Sequence, residues 1–247
     1  MDYDDVLEEV SDNLVVRDVC TDQDGFGDVL AAALKIHAAP PPVRTPELTK
    51  ALQGNLSEYC VWDLGERYWS IFERRMTWTA NADSPWKASS SDGVDILALA
   101  ADNQLVLLVI EVKSSVGRGA SLITGGNSSL QSDFDRLFEG PVQNRLPISV
   151  GKVLASLRLV HRRPELEEQV KEMVGMTPAD CPSLRLMGVL VCKQGNNGDL
   201  QARGRAFERL TDHLTDIGWD ASQITFRTVE VDDLTELLDE VIERATA

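Results

Sequence analysis

The chain has 247 residues and carries 24 Lys and Arg against 40 Asp and Glu, a formal charge of −16 at neutral pH. That length suits one sizeable core, and the charge argues against unaided DNA binding, because such affinity comes largely from basic side chains that neutralise phosphates. No apolar run approaches the roughly 20 residues of a membrane span, and the start, Met1-Asp2-Tyr3-Asp4-Asp5, lacks the basic n-region of a secretory signal; no membrane and a cytoplasmic location are the expectation.

Residues 1–43 read as an acidic N-terminal segment. Asp5 to Val10 suits a short helix, Leu14 to Cys20 a strand, and Asp28 to His37 an Ala/Leu-rich helix ended by Ala39-Pro40-Pro41-Pro42. Residues 44–247 form the main domain. Thr45 caps a new helix with Pro46 in its first turn. Leu56 to Arg75 reads as one amphipathic helix with Tyr59, Trp62, Tyr68, Trp69 and Phe72 on its apolar surface, and Met76 to Thr79 as the first strand of the domain.

Next come two strands rich in branched apolar residues, Ser91 to Leu99 and Leu105 to Ser115, joined by Ala101-Asp102-Asn103-Gln104 as a hairpin turn. The second is apolar on both faces and should be central. It ends in Glu111-Val112-Lys113, and strand alternation puts Glu111 and Lys113 on one face at the edge of a core. Burying such charges unpaired costs several kcal/mol or more each, roughly. A second carboxylate, a divalent cation between the two and an ammonium alongside compensate that cost. Asp95, early on the preceding strand, supplies the second carboxylate across a tight hairpin.

Asp95 followed by Glu111-x-Lys113 on the next strand resembles the PD-(D/E)xK nuclease superfamily, with Val94 where that superfamily often has Pro. Glu-x-Lys alone recurs by chance. The apolar run before it, the Gly-Val-Asp-Ile strand upstream and the Ser/Gly-rich loop after it strengthen the likeness. The resemblance implies a restriction-endonuclease-like α/β fold, a mixed central sheet flanked by helices. Asp95, Glu111 and the Val112 carbonyl would hold Mg²⁺ or Mn²⁺, and Lys113 would position or help deprotonate the attacking water and offset phosphate charge.

After Lys113, Gly117 to Gly126 has neither a P-loop Gly-Lys-Ser/Thr nor a GxGxxG pattern. A mobile loop near the scissile phosphate, with Arg118 as a phosphate contact, is the expectation. A helix over Ser128 to Glu139 follows, with Gln131 facing the site. Val150 to Arg162 and Glu165 to Val174 suit two helices separated by Pro164; the first is basic through Lys152, Arg158, Arg162 and Arg163, which makes Lys152 a candidate DNA contact. The chain ends with strand Leu184 to Cys192, helix Leu200 to Ile217, strand Ile224 to Val231 and helix Leu234 to Ala245, the late strands extending the hairpin sheet.

His37, His161 and His213 have no ligand spacing, and no Gly-x-Ser-x-Gly element occurs, so zinc and serine-type hydrolysis lack support. Cys20, Cys60, Cys181 and Cys192 lack paired spacing and suit buried thiols.

The order of elements is similar to HamA, the nuclease component of Hachiman-type bacterial anti-phage systems. That likeness implies a DNA-degrading effector held by a helicase partner, HamB, which would grip the DNA and so account for the acidic surface. It also implies a further carboxylate from the helix before the sheet, Glu66 in Leu64-Gly65-Glu66, with Glu58 and Glu73 as competitors. Charge alone suggests residues 1–43 as a partner-docking element. Two alternatives remain: a stand-alone restriction- or repair-type nuclease, and a non-catalytic interaction module on the same fold.

Overall fold

The computed structural model describes residues 8–10, 15–19, 46–68, 71–76, 94–102, 104–117, 119–138, 146, 150, 151, 154, 164–175 and 177–246. Its centre is a seven-stranded sheet in the order β1-β2-β7-β6-β5-β4-β3. The strands are β1 (Glu8–Val10), β2 (Val15–Val19), β3 (Ile71–Met76), β4 (Ile96–Asp102), β5 (Gln104–Ser115), β6 (Leu184–Lys193) and β7 (Ile224–Val231). β1–β2, β3–β4 and β4–β5 are antiparallel, whereas β2–β7, β5–β6 and β6–β7 are parallel. The fold is therefore α/β with a mixed sheet.

Helices cover both faces. Alternation along β5 sends Leu108, Ile110 and Val112 to a core with α1 (Pro46–Tyr68) and α6 (Leu234–Thr246), through Leu56, Val61, Leu64, Leu234 and Leu238. Leu107 and Val109 turn to the other core, formed with α2 (Ser121–Thr124), α3 (Leu130–Asp135), α4 (Pro164–Glu172) and α5 (Asn197–Asp216). A strand covered on both faces reads as an unbroken apolar run, as β5 and β6 do. α5 begins where Asn196 accepts hydrogen bonds from Gly198 and Asp199 N–H and Asp199 bonds back to the cap, a closed capping box. It is held by Ala206, Phe207, Leu210 and Leu214 at helical spacing, with Phe207 stacked on Phe226 of β7 at 4.7 Å.

β7 matches the sequence expectation residue for residue, and β6, α4, α5 and α6 differ only at their ends; Pro164 is the first residue of α4. Three expectations are corrected. Glu8–Val10 is a strand, not the end of a helix, because it pairs with β2. β2 in turn pairs with β7, so residues from the acidic N-terminal segment belong to the same sheet as the main domain. The long helix expected over Leu56 to Arg75 starts at Pro46 and stops at Tyr68, and Ile71–Met76 forms β3. Ile and Phe suit a pleated surface, and the backbone partners that β4 offers outweigh a local helical period. The hairpin turn is also tighter than expected, since Asp102 pairs directly with Gln104.

Asp28 to His37, the linker after it and most of the basic helix over Val150 to Arg162 lie outside the described residues, although residues 150, 151 and 154 are helical. Among the described residues no helix is long and apolar enough to cross a membrane. Cys60, Cys181 and Cys192 are buried thiols outside any disulfide.

Candidate active site

The β4–β5 ladder pairs Ile96 with Ile110, so one further step sets Asp95 level with Glu111. Asp95 stands just before β4 and its Oδ2 accepts a 2.8 Å hydrogen bond from the Val112 N–H, which fixes the carboxylate against the strand. Glu111 has no exposed surface. Lys113, on the same face of β5, makes an ion pair with Asp133 of α3 and keeps 20% of its side chain exposed. Burial works against the charge on Lys113, but Asp133, Asp95 and Glu111 together outweigh it and raise the pKa above the ordinary 10.5. With no cation bound, the neighbouring carboxylates favour the ammonium form of Lys113, a group able to orient water.

That direction fixes a pH dependence. A lysine whose folded pKa lies above its unfolded value contributes stability that is fully present below 10.5 and lost as pH rises through the raised value. Melting curves taken from neutral pH upward should show this alkaline loss in the wild type and a smaller one in Lys113→Gln.

β6 makes the enclosure possible. Gly188 is the register partner of Glu111, and a Cβ there would lie 2.8 Å from Phe226 Cδ1 and 3.2 Å from Leu130 Cδ1. The missing side chain leaves room for the Phe226 side chain of β7 and Leu130 of α3 over the sheet at the level of Glu111. Gly188→Ala is expected to push α3 outward and destabilise by about 1–3 kcal/mol, as overpacking typically does; thermal unfolding measures it.

The segment after β5, expected to be a loop, includes a helical turn and two buried anchors, Gly119 and Ile123. Gly119 has φ +75°, and its Cβ position would fall 2.8 Å from Leu190, so glycine is required by both backbone and contact. Ser121–Thr124 is a helical turn with Ile123 buried. Ser129 then caps α3, accepting from Ser132 N–H at 3.2 Å and donating to the Gly126 carbonyl at 2.9 Å.

On α3, Leu130, Asp133 and Phe134 are the buried residues, and Asp133 is the one that meets Lys113. Gln131, expected to face the site, instead helps Thr124, Asn127, Ser132, Asp135 and Arg136 line a polar cavity of about 410 Å³. The signal for Asp133 was in the sequence: positions 130, 133 and 134 share a helical face, so an Asp between two core residues points at the sheet. His213 of α5 contacts Asp135 at 2.7 Å, at the outer side of α3.

α1 packs on the sheet face opposite the one that carries Glu111 and Lys113. The side chain of Glu66, near its end, lies outside the described residues; Glu58 is half-buried on the same helix, and Glu73 is paired in register with Leu99. Arg118 and Lys152, the expected DNA contacts, also lie outside the described residues.

Two carboxylates and a nearby strand carbonyl suit a hard cation such as Mg²⁺ or Mn²⁺, which binds through one or two carboxylates and retains several waters. Among the described residues no group of three or more His, Cys, Asp or Glu stands together as a metal cage. No family model matches the chain, and no curated protein matches it.

Proposed function

We propose that the chain is a metal-dependent deoxyribonuclease that hydrolyses DNA phosphodiester bonds, with Asp95 and Glu111 as carboxylate ligands of Mg²⁺ or Mn²⁺, the Val112 carbonyl beside them, and Lys113 as the cationic partner. The observation that carries this reading is the hairpin register, which brings Asp95, Glu111 and Lys113 together at one end of β5, with Glu111 wholly buried. When bound, the cation would polarise the phosphate and lower the pKa of a bound water.

The chain's own residues supply the rest. The Val112 N–H aims the Asp95 carboxylate. Glu111 is sealed from water, and electrostatic contacts to a carboxylate are stronger in such surroundings. Lys113 would present an ammonium where negative charge accumulates on the phosphate oxygens in the transition state.

The likeness to HamA supplies the biological setting of this proposal, an effector nuclease of an anti-phage complex with a HamB-like helicase subunit. The charge of −16 supports it, because an acidic nuclease has need of a partner to hold the DNA. The test is cleavage of plasmid and linear DNA in Mg²⁺ and in chelator, by the chain alone and with the helicase that co-purifies with it. Cleavage in Mg²⁺ only with the helicase is the expected result. Cleavage by the chain alone would make it a stand-alone nuclease, and none under any condition would leave an interaction module.

A further inference from the structure

Lys113 is surrounded by three acidic groups, Asp133 in the ion pair, Asp95 across the hairpin and Glu111 two residues earlier on the same face of β5. One ammonium among three carboxylates leaves two negative charges, the amount a divalent cation neutralises. The distribution of that charge has a consequence. In the nuclease reading, Asp95 and Glu111 are engaged by the cation, and a dication a few ångströms away repels the Lys113 ammonium. A lysine side chain is long and one-fifth of this one is exposed, so solvent is an available escape. Only an anion outside the ligand set opposes that.

We propose that Asp133 is a positioning residue that holds Lys113 at the reaction centre against the repulsion of the bound cation, an inference that rests on the nuclease reading of the site. Asp133 is suited to this by its fixed seat. Its side chain is 9% exposed, and its helix is pinned by Leu130 at 0% and Phe134 at 1% and closed at its start by the Ser129 cap. Leu130 sits against Gly188, the strand neighbour of Glu111, so the helix that carries Asp133 is registered to the strand that carries the ligands. A carboxylate on a flexible loop would follow Lys113 outward; one on a packed helix does not.

Asp133→Asn, nearly isosteric and uncharged, is expected to lower kcat by about 10–100-fold, the usual cost of losing a group that orients a reacting one, with KM for DNA unchanged. Asp133→Glu, which keeps the charge, should recover part of the loss. A second readout does not depend on cleavage: acylation of Lys113 by an amine-reactive reagent, followed by peptide mass spectrometry. Lys113 should label slowly in the wild type and in Asp133→Glu, and faster in Asp133→Asn. Equal kcat in wild type and Asp133→Asn overturns the proposal, and so does equal labelling. Should Asp133→Asn fail to fold, a folded Asp133→Glu that labels no more slowly than a denatured control also overturns it. If the wild type cuts no DNA, the nuclease reading fails by itself, whereas labelling still decides whether Asp133 holds Lys113.

Discussion

Glu111→Gln is expected to abolish divalent-dependent DNA cleavage while leaving the metal-free fold as stable as the wild type or more so. Groups that merely support metal ligands are worth about 10–100-fold in activity, so loss of a ligand charge should exceed about a hundredfold. The stability effect runs the other way. Glu111 is wholly buried, and removing a carboxylate from water costs several kcal/mol, roughly, even after relaxation. The field of Lys113 recovers part of that. An amide of the same shape keeps the packing and removes the charge, and for a chain of this size each kcal/mol gained raises the melting temperature by about 2–4 °C. Cleavage assays and melting curves on the same preparation read both quantities. A variant that melts lower and still cuts would make Glu111 a structural residue.

The second large effect lies away from the candidate site. Arg203 of α5 and Glu230 of β7 form an ion pair at 2.9 Å with each residue only 1% exposed. Arg203 also donates to Cys192 Sγ at 3.0 Å and to the Asp199 carbonyl at 3.4 Å, and Glu230 accepts from Gly195 N–H at 3.3 Å. The pair thereby ties α5 to the ends of β6 and β7. Arg203→Met leaves Glu230 buried without its counter-charge and should destabilise by about 3–5 kcal/mol. Arg203→Met with Glu230→Gln should recover much of this, because the uncompensated charge is gone, and a double-mutant cycle measures the coupling. If Arg203→Met costs less than about 1 kcal/mol, within the scatter of ordinary surface changes, the pair contributes little and another contact holds α5.

The candidate residues Asp95, Glu111 and Lys113 were legible in the sequence because a hairpin makes their neighbourhood nearly local: the strand pattern alone fixes which residues face each other. β7 was legible for a related reason, an apolar alternating run bounded by turn residues. The boundary between α1 and β3 was not, because Ile71 to Met76 becomes a strand only through pairing with β4, a contact that no local periodicity records. Arg203 and Glu230 needed the tertiary structure as well. Each is an ordinary surface charge by composition, and only the packing of α5 onto the sheet buries it. Asp133 is legible from helical spacing, since it shares the face set by Leu130 and Phe134.

Cleavage depends on the right DNA and the right partner, whereas cation binding by Asp95 and Glu111 needs the chain alone. The most direct measurement is a calorimetric titration of Mn²⁺ into the wild type and into Asp95→Asn, with the acidic remainder of the surface common to both. The predicted result is one site in the wild type that is absent from the variant. Identical isotherms would mean that these carboxylates hold no metal, and the nuclease reading would fall with them.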